Sequence, residues 1–282
     1  MKTAITVNLE KKNSIEVLTG LIDELISLGH EVAMADRCRD VVARDGIHFM
    51  PFDERLDFCD ILICLGGDGT ILHASKVAAL KHKPVLGINA GRIGYMAGLE
   101  PNELHLLKNL SSGDYISEKR MLLEVKYNGQ IYHVLNDAVI SRGSLSRMVD
   151  ISLTFDKTHV ISYRSDGVII ATPTGSTAYS LSAGGPIVDP KIECMLCTPI
   201  CPHSMFSRTI ILDSDGALTI DTKASSENKV VLTIDGERAI QLHDTDSVYI
   251  RKSPTYADFI NLNKQSFSDI LNKKMIRGGS ET

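Results

Sequence analysis

The chain has 282 residues, 43% of them apolar and 23% charged, with a net charge of −5. That length suits two domains, and the acidic balance gives no electrostatic reason to bind nucleic acid. Apolar runs such as Ile61-Leu62-Ile63-Cys64-Leu65 are far too short to span a bilayer, so no membrane partner is expected.

The N-terminus has no apolar stretch of signal-peptide length, and a cytoplasmic location is the expectation. The six cysteines fit a reducing compartment, where they pack as small apolar residues.

The first ~115 residues alternate strand and helix. Thr3 to Leu9 reads as a strand, and Leu18, Leu21, Ile22, Leu25 and Leu28 recur at helical spacing up to a C-cap at Gly29. Val32 to Ala35 is extended. Asp60 to Leu65 is apolar after its first residue, as a strand buried on both faces should be. Ile71 to Leu80 reads as a helix, and Pro84 to Asn89 as another buried strand. This predicts an α/β N-terminal domain, residues 1–119, with a mostly parallel sheet.

The pattern changes after Lys119. Val149, Ile151, Leu153 and Phe155 alternate with polar residues, and Val230, Leu232 and Ile234 repeat the period of two. Asn128-Gly129 and Asp235-Gly236 sit between such runs as hairpin turns. Residues 120–257 therefore read as an all-β, antiparallel, sandwich-like second domain. The tail, residues 258–282, is expected to pack back on the first domain, with a helix over Asn263 to Lys274.

Between a buried strand and a helix lies Gly66-Gly67-Asp68-Gly69-Thr70. A helix N-terminus offers free backbone N–H groups and a favourable dipole to an anion, and glycines let a phosphate approach the backbone. A plain tight turn is the alternative reading. The loop is not a P-loop, since no lysine follows the glycines, and the dinucleotide fingerprint fails at Leu72. Asp68 would repel phosphates unless it holds Mg²⁺ against them or takes a proton from an attacking hydroxyl. Both roles belong to phosphoryl transfer.

A second unusual stretch runs from Arg164 through Asp166 to Thr172-Pro173-Thr174-Gly175-Ser176-Thr177-Ala178-Tyr179 and on to Pro186. Its many short hydroxyls suit the ribose and amide groups of a ligand, though they also serve a loop's own turn bonds.

With Asn136-Asp137, Gly91-Arg92-Ile93-Gly94-Tyr95 and Thr198-Pro199-Ile200-Cys201-Pro202-His203-Ser204, these blocks resemble the NAD kinase family in order and content. The resemblance implies transfer of the terminal phosphoryl group of ATP, or of polyphosphate, to the 2′-hydroxyl of the adenosine ribose of NAD, giving NADP. It implies Asp68 as the catalytic carboxylate and Gly66, Gly67, Gly69 and Thr70 as the phosphate loop. It further implies that Asn136 and Asp137 hold the adenosine half. Arg164, Asp166, Thr174, Thr177, Ala178, Tyr179 and Ser182 would line the NAD pocket, with His73 touching substrate. Mg²⁺ as cofactor and a homo-oligomer, tetramer or dimer, are implied as well. This sequence departs from the family pattern at Asp137, where glutamate is frequent, at Tyr95, where phenylalanine is usual, and at Asp189, where histidine is common.

Diacylglycerol and sphingosine kinases carry a similar loop, so a lipid kinase is one alternative and a catalytically silent NAD sensor another. Amphipathic basic helices that would favour the lipid kinase are not visible. Cys194, Cys197 and Cys201 have the spacing of an iron–sulfur run without its fourth ligand, and are read as structural.

Overall fold

The computed structural model describes residues 1–10, 14–42, 44–90, 94–143, 147–205, 207–223, 230–243 and 246–278. The chain forms two compact units, one of Met1–Lys119 with Ala257–Thr282 and the other of Arg120–Tyr256.

In the first unit, β1 (Lys2–Val7), α1 (Ser14–Ser27), β2 (Glu31–Met34), β3 (Ile47–Phe49), α2 (Phe52–Phe58), β4 (Ile61–Gly66), α3 (Asp68–Leu80), β5 (Val85–Asn89) and α4 (Lys108–Ser112) follow in order. The strands pair in parallel as β5-β4-β1-β2-β3. Ile5, Val7, Ile63 and Leu65 point to one face and pack with Leu18, Leu21, Ile22 and Leu25 of α1. Period two on the strands meets period 3.6 on the helix, and that match makes the layer. On the other face Gly87 leaves room for α3, because a Cβ there would sit 2.8 Å from Ile71 Cδ1.

The second unit is built from β6 (Ile116–Tyr127), β7 (Gln130–Val134), β8 (Asp137–Arg142), β9 (Val149–Phe155), β10 (Thr158–Ser165), β11 (Gly167–Ala171), the short α5 (Tyr179–Ser182), β12 (Cys194–Ile200), β13 (Ile210–Asp213), β14 (Ala217–Lys223), β15 (Val230–Ile234), β16 (Arg238–Leu242) and β17 (Ser247–Asn261). One sheet runs β13-β12-β11-β8-β15-β16 and is antiparallel throughout. The other carries β10, β9, β14 and β17, also antiparallel. Leu153, Ile220 and Ile250 from one sheet and Ile140, Ile170 and Leu232 from the other share a single buried core. This is a sandwich, with the inward residues alternating along each strand.

Asn128 and Gly129 both have positive φ, 48° and 75°, in the two-residue turn between β6 and β7. The end of β17 returns to the first unit, where Phe259 pairs with Val85 on the free edge of β5. The last helix, α6, spans Phe267–Gly278 rather than starting at Asn263. Ser266 and Asp269 form a reciprocal cap, the Asp269 N–H donating to Ser266 Oγ at 3.2 Å and the Ser266 N–H to Asp269 Oδ2 at 2.9 Å. That cap fixes the start.

Candidate functional site

β4 is buried along its whole length and ends at Gly66. The chain turns at Gly67, whose extended backbone is the N-cap of α3, and Asp68 opens the helix. The helix therefore starts three residues before the apolar spacing alone suggests. Thr70 lies against Gly66 so closely that a Cβ there would meet the threonine side chain at 2.7 Å. Gly69 is exposed, leaving the first turn open to an anion.

The Asp68 carboxylate is held in place. Tyr95 N–H donates to Oδ2 at 3.0 Å and Met96 N–H to Oδ1 at 3.2 Å. Gly94 passes beside it, where any Cβ would stand 2.1 Å from Oδ1. Glycine is required there by close approach rather than by its φ. Residues 91–93 of the same block lie outside the described residues. Thr70 and the exposed His73 line a cleft of about 430 Å³ with Thr6 to Glu10 and Arg37.

In the second unit, Asn136 and Asp137 stand at the start of β8, and the clamp that holds them is Asp235. Its Oδ1 accepts the N–H groups of Asn136 at 2.8 Å and Asp137 at 2.9 Å, and its Oδ2 accepts that of Leu135 at 3.0 Å. In return the Asp235 N–H donates to the Asp137 carbonyl at 2.9 Å. Asp137 is 5% exposed, and burial first, then the charge of Asp235, pushes its carboxyl up to about 7.

The hydroxyl-rich turn divides its labour. Thr172 Oγ1 donates to the Leu135 carbonyl and accepts from Gly175 N–H, while Ser176 Oγ donates to the Val188 carbonyl and accepts from the Val188 N–H. These groups shape the turn. Gly175 presses on Asn136, with its absent Cβ only 2.0 Å from the Asn136 carbonyl oxygen. By contrast Asn136 Oδ1 and Thr174 Oγ1 are buried with no hydrogen-bond partner among the described residues. Seven other buried side-chain atoms of the described residues are likewise unpartnered, and of these two residues only Asn136 lines the pocket. Asn136, Asp137, Ala178 and Tyr179 line one pocket of about 440 Å³ with Val139, Ser141, Thr233, Asp235 and Gly236.

A model of the ATP-NAD kinase N-terminal domain matches residues 4–115, and one of the C-terminal domain matches residues 135–262. The chain belongs to the ATP-NAD kinase family. An NAD kinase of Caldanaerobacter subterraneus is 38% identical over 282 residues, covering 97% of this chain and 98% of that protein. One of Symbiobacterium thermophilum is 39% identical, covering 97% and 98%. Among solved structures, yeast NADH kinase complexed with NADH superposes with a TM-score of 0.84 at 26% identity, covering 96% of this chain and 85% of that one. An NAD kinase from Archaeoglobus fulgidus in complex with ATP gives 0.77 at 25% identity, covering 97% and 98%. This member of the family is a phosphotransferase with an alcohol acceptor.

Not every residue singled out in the sequence meets the pocket. Thr177 Oγ1 donates to the Thr174 carbonyl at 3.3 Å and serves the turn. Ser182 is exposed at the end of α5, and Arg164 is exposed on β10, in the opposite sheet from β8 and β11. Asp166 is held by Arg142, whose Nε donates to Oδ1 at 2.7 Å. Sequence reasoning missed Asp235 and Arg142. A hairpin Asp-Gly was the sole signal for the first, and the second carried none. Cys194 and Cys197 pack into different cores on opposite faces of β12, so these two thiols do not converge.

The raised Asp137 carboxyl makes stability depend on pH. Its folded pKa lies above the ordinary 3.8, so the native state holds the proton more tightly than the unfolded chain between about pH 4 and 7. Stability therefore falls as pH rises through that window and levels off above it. Asp137→Asn removes the titration, and its stability relative to the wild type should rise by roughly 4 kcal/mol between pH 4 and pH 8. Urea unfolding of both proteins across that range measures it, and parallel curves would contradict the assignment.

Proposed function

We propose that this family member is an NAD kinase in which the glycine loop holds the phosphates of ATP and the Asn136–Asp137 pocket holds the adenosine half of NAD. The observation that carries the reading is the Asp68 carboxylate, fixed by two backbone N–H groups at the first turn of the glycine-loop helix. A carboxylate so placed accepts the proton of the ribose 2′-hydroxyl as that oxygen attacks the terminal phosphorus. The new P–O bond forms while the bridging oxygen departs with ADP, and NADP is the product.

Each Asp68 oxygen accepts one N–H and keeps a lone pair, which suits a hard cation. Among the described residues no group of three His, Cys, Asp or Glu could hold a metal, so Mg²⁺ would rest on one carboxylate and the donor's own phosphate oxygens. When bound it supplies charge neutralisation on the phosphates. Asn136 Oδ1 and the carboxyl of Asp137, both lining the pocket, suit ribose hydroxyls and the adenine amino group. The protein works in the cytoplasm as a homo-oligomer.

Incubation with ATP, Mg²⁺ and NAD should yield NADP, and a parallel panel of polyphosphate and NADH ranks donor and acceptor. No NADP above background from folded protein would refute the reading. Preferential phosphorylation of diacylglycerol would favour a lipid kinase, and tight NAD binding without ATP consumption a sensor.

A further inference from the structure

The glycine loop has no lysine of its own, yet the fold brings one to it from the other end of the chain. Lys274, near the C-terminus of α6, places Nζ 3.6 Å from the centroid of the Tyr95 ring. Tyr95 is the residue whose N–H fixes Asp68, and Phe267 of the same helix rests against its ring with centroids 6.2 Å apart. The helix thus reaches Tyr95 through an aromatic contact at its start and a cation–π contact two turns further along the same face.

The ammonium is half-buried, and among the described residues it has no carboxylate or carbonyl acceptor; its one recorded partner is the ring face. Burial pulls its pKa down, and the charge of Asp68 pushes it up. With no carboxylate or carbonyl acceptor among the described residues, its N–H donors are available to an anion at the glycine loop. Asp68 repels phosphate, and the ammonium held over the Tyr95 ring offsets that repulsion.

We infer that Lys274 is the phosphate-binding cation of this site, carried by the C-terminal helix to contact the terminal phosphates of the donor. The inference rests on the kinase reading for its setting but concerns the donor's phosphates alone, whatever the acceptor.

The test uses the full chain and inorganic tripolyphosphate with Mg²⁺ as probe, titrated calorimetrically without NAD. Lys274→Met keeps an unbranched stem on Tyr95 and removes the charge. It should weaken tripolyphosphate binding about tenfold or more, with KM for ATP rising in step and KM for NAD unchanged. Lys274→Arg should recover most of the loss. Lys273→Ala is the local control, because the Lys273 ammonium donates to Gln265 Oε1 at 2.8 Å and is exposed; it should bind as the wild type does. In the wild type, tripolyphosphate should also protect Lys274, but not Lys273, from reductive methylation, a reading that needs no variant to fold.

Wild-type affinity in Lys274→Met, or no protection of Lys274, overturns the inference. So does a variant that loses kcat yet keeps its tripolyphosphate affinity, since the lysine would then serve Asp68 and not the donor. Failure of the wild type to make NADP would sink the kinase reading instead and leave the phosphate titration interpretable.

Discussion

Asp68→Asn is expected to lower kcat for NADP formation by at least roughly a thousandfold, about 4 kcal/mol of transition-state stabilisation, while NAD binding stays within about tenfold. The carboxylate is anchored by the N–H groups of Tyr95 and Met96, one to each oxygen. Asparagine keeps the size and can keep one of those bonds, so the loop should hold its shape. What it loses is the ability to take a proton and the charge that would sit against the metal-bound phosphates. Steady-state rates and an independent NAD titration separate the two effects. A variant that kept most of its rate would show that Asp68 is an anchor of the 94–96 turn and nothing more.

The second large effect belongs to a residue outside every recognisable block. Asp235→Asn should destabilise the protein by about 3 kcal/mol and weaken NAD binding at the same time. The carboxylate satisfies three backbone N–H groups, two on Oδ1 and one on Oδ2. An asparagine oxygen can retain the pair from Asn136 and Asp137. Its amide nitrogen then faces the buried N–H of Leu135, donor against donor, and that group is left unsatisfied. Because the same bonds hold Asn136 and Asp137 at the pocket, the loss reaches the ligand. Thermal unfolding and an NAD titration of the one variant test both, and a drop in stability with unchanged NAD affinity would detach the clamp from the pocket.

The strand–glycine–helix turn at residues 66–70 was legible because everything that makes it is local. A buried apolar strand, three glycines and a helix fall within twenty residues, and the backbone conditions for anion binding follow from that order. The hairpin at Asn128-Gly129 was legible for the same reason, its two positive φ angles being ones these residues tolerate. Helix starts were read less well. α3 begins at Asp68 because Gly67 caps it, although glycines weaken the helical pattern there. α6 begins only at Phe267, since Lys264 takes a φ of 54° and the Ser266–Asp269 cap follows it.

The pocket proposed for NAD was legible as a family resemblance but not as geometry. Composition alone does not tell Thr172 and Ser176, which spend their hydroxyls on the turn, from Thr174, whose hydroxyl is left without a described partner. That division depends on where β8 and the Val188 backbone lie. Arg164 on β10 and Ser182 at the end of α5 are exposed and are not among the residues lining the pocket around Asn136.

Periodicity and near neighbours alone account for the alternation that makes one α/β unit and one β sandwich, and for the glycine loop with its carboxylate. These depend on periodicity and on neighbours a few residues apart, which any chain carries in plain order. Tertiary structure decided which groups are free to meet a ligand. Asp235 reaches its three N–H partners across 98 to 100 residues, and Lys274 reaches Tyr95 from the far end of the chain. Hydrogen-bonding and charge complementarity over such separations leave no spacing to read, because they exist only once the sheets have set their registers.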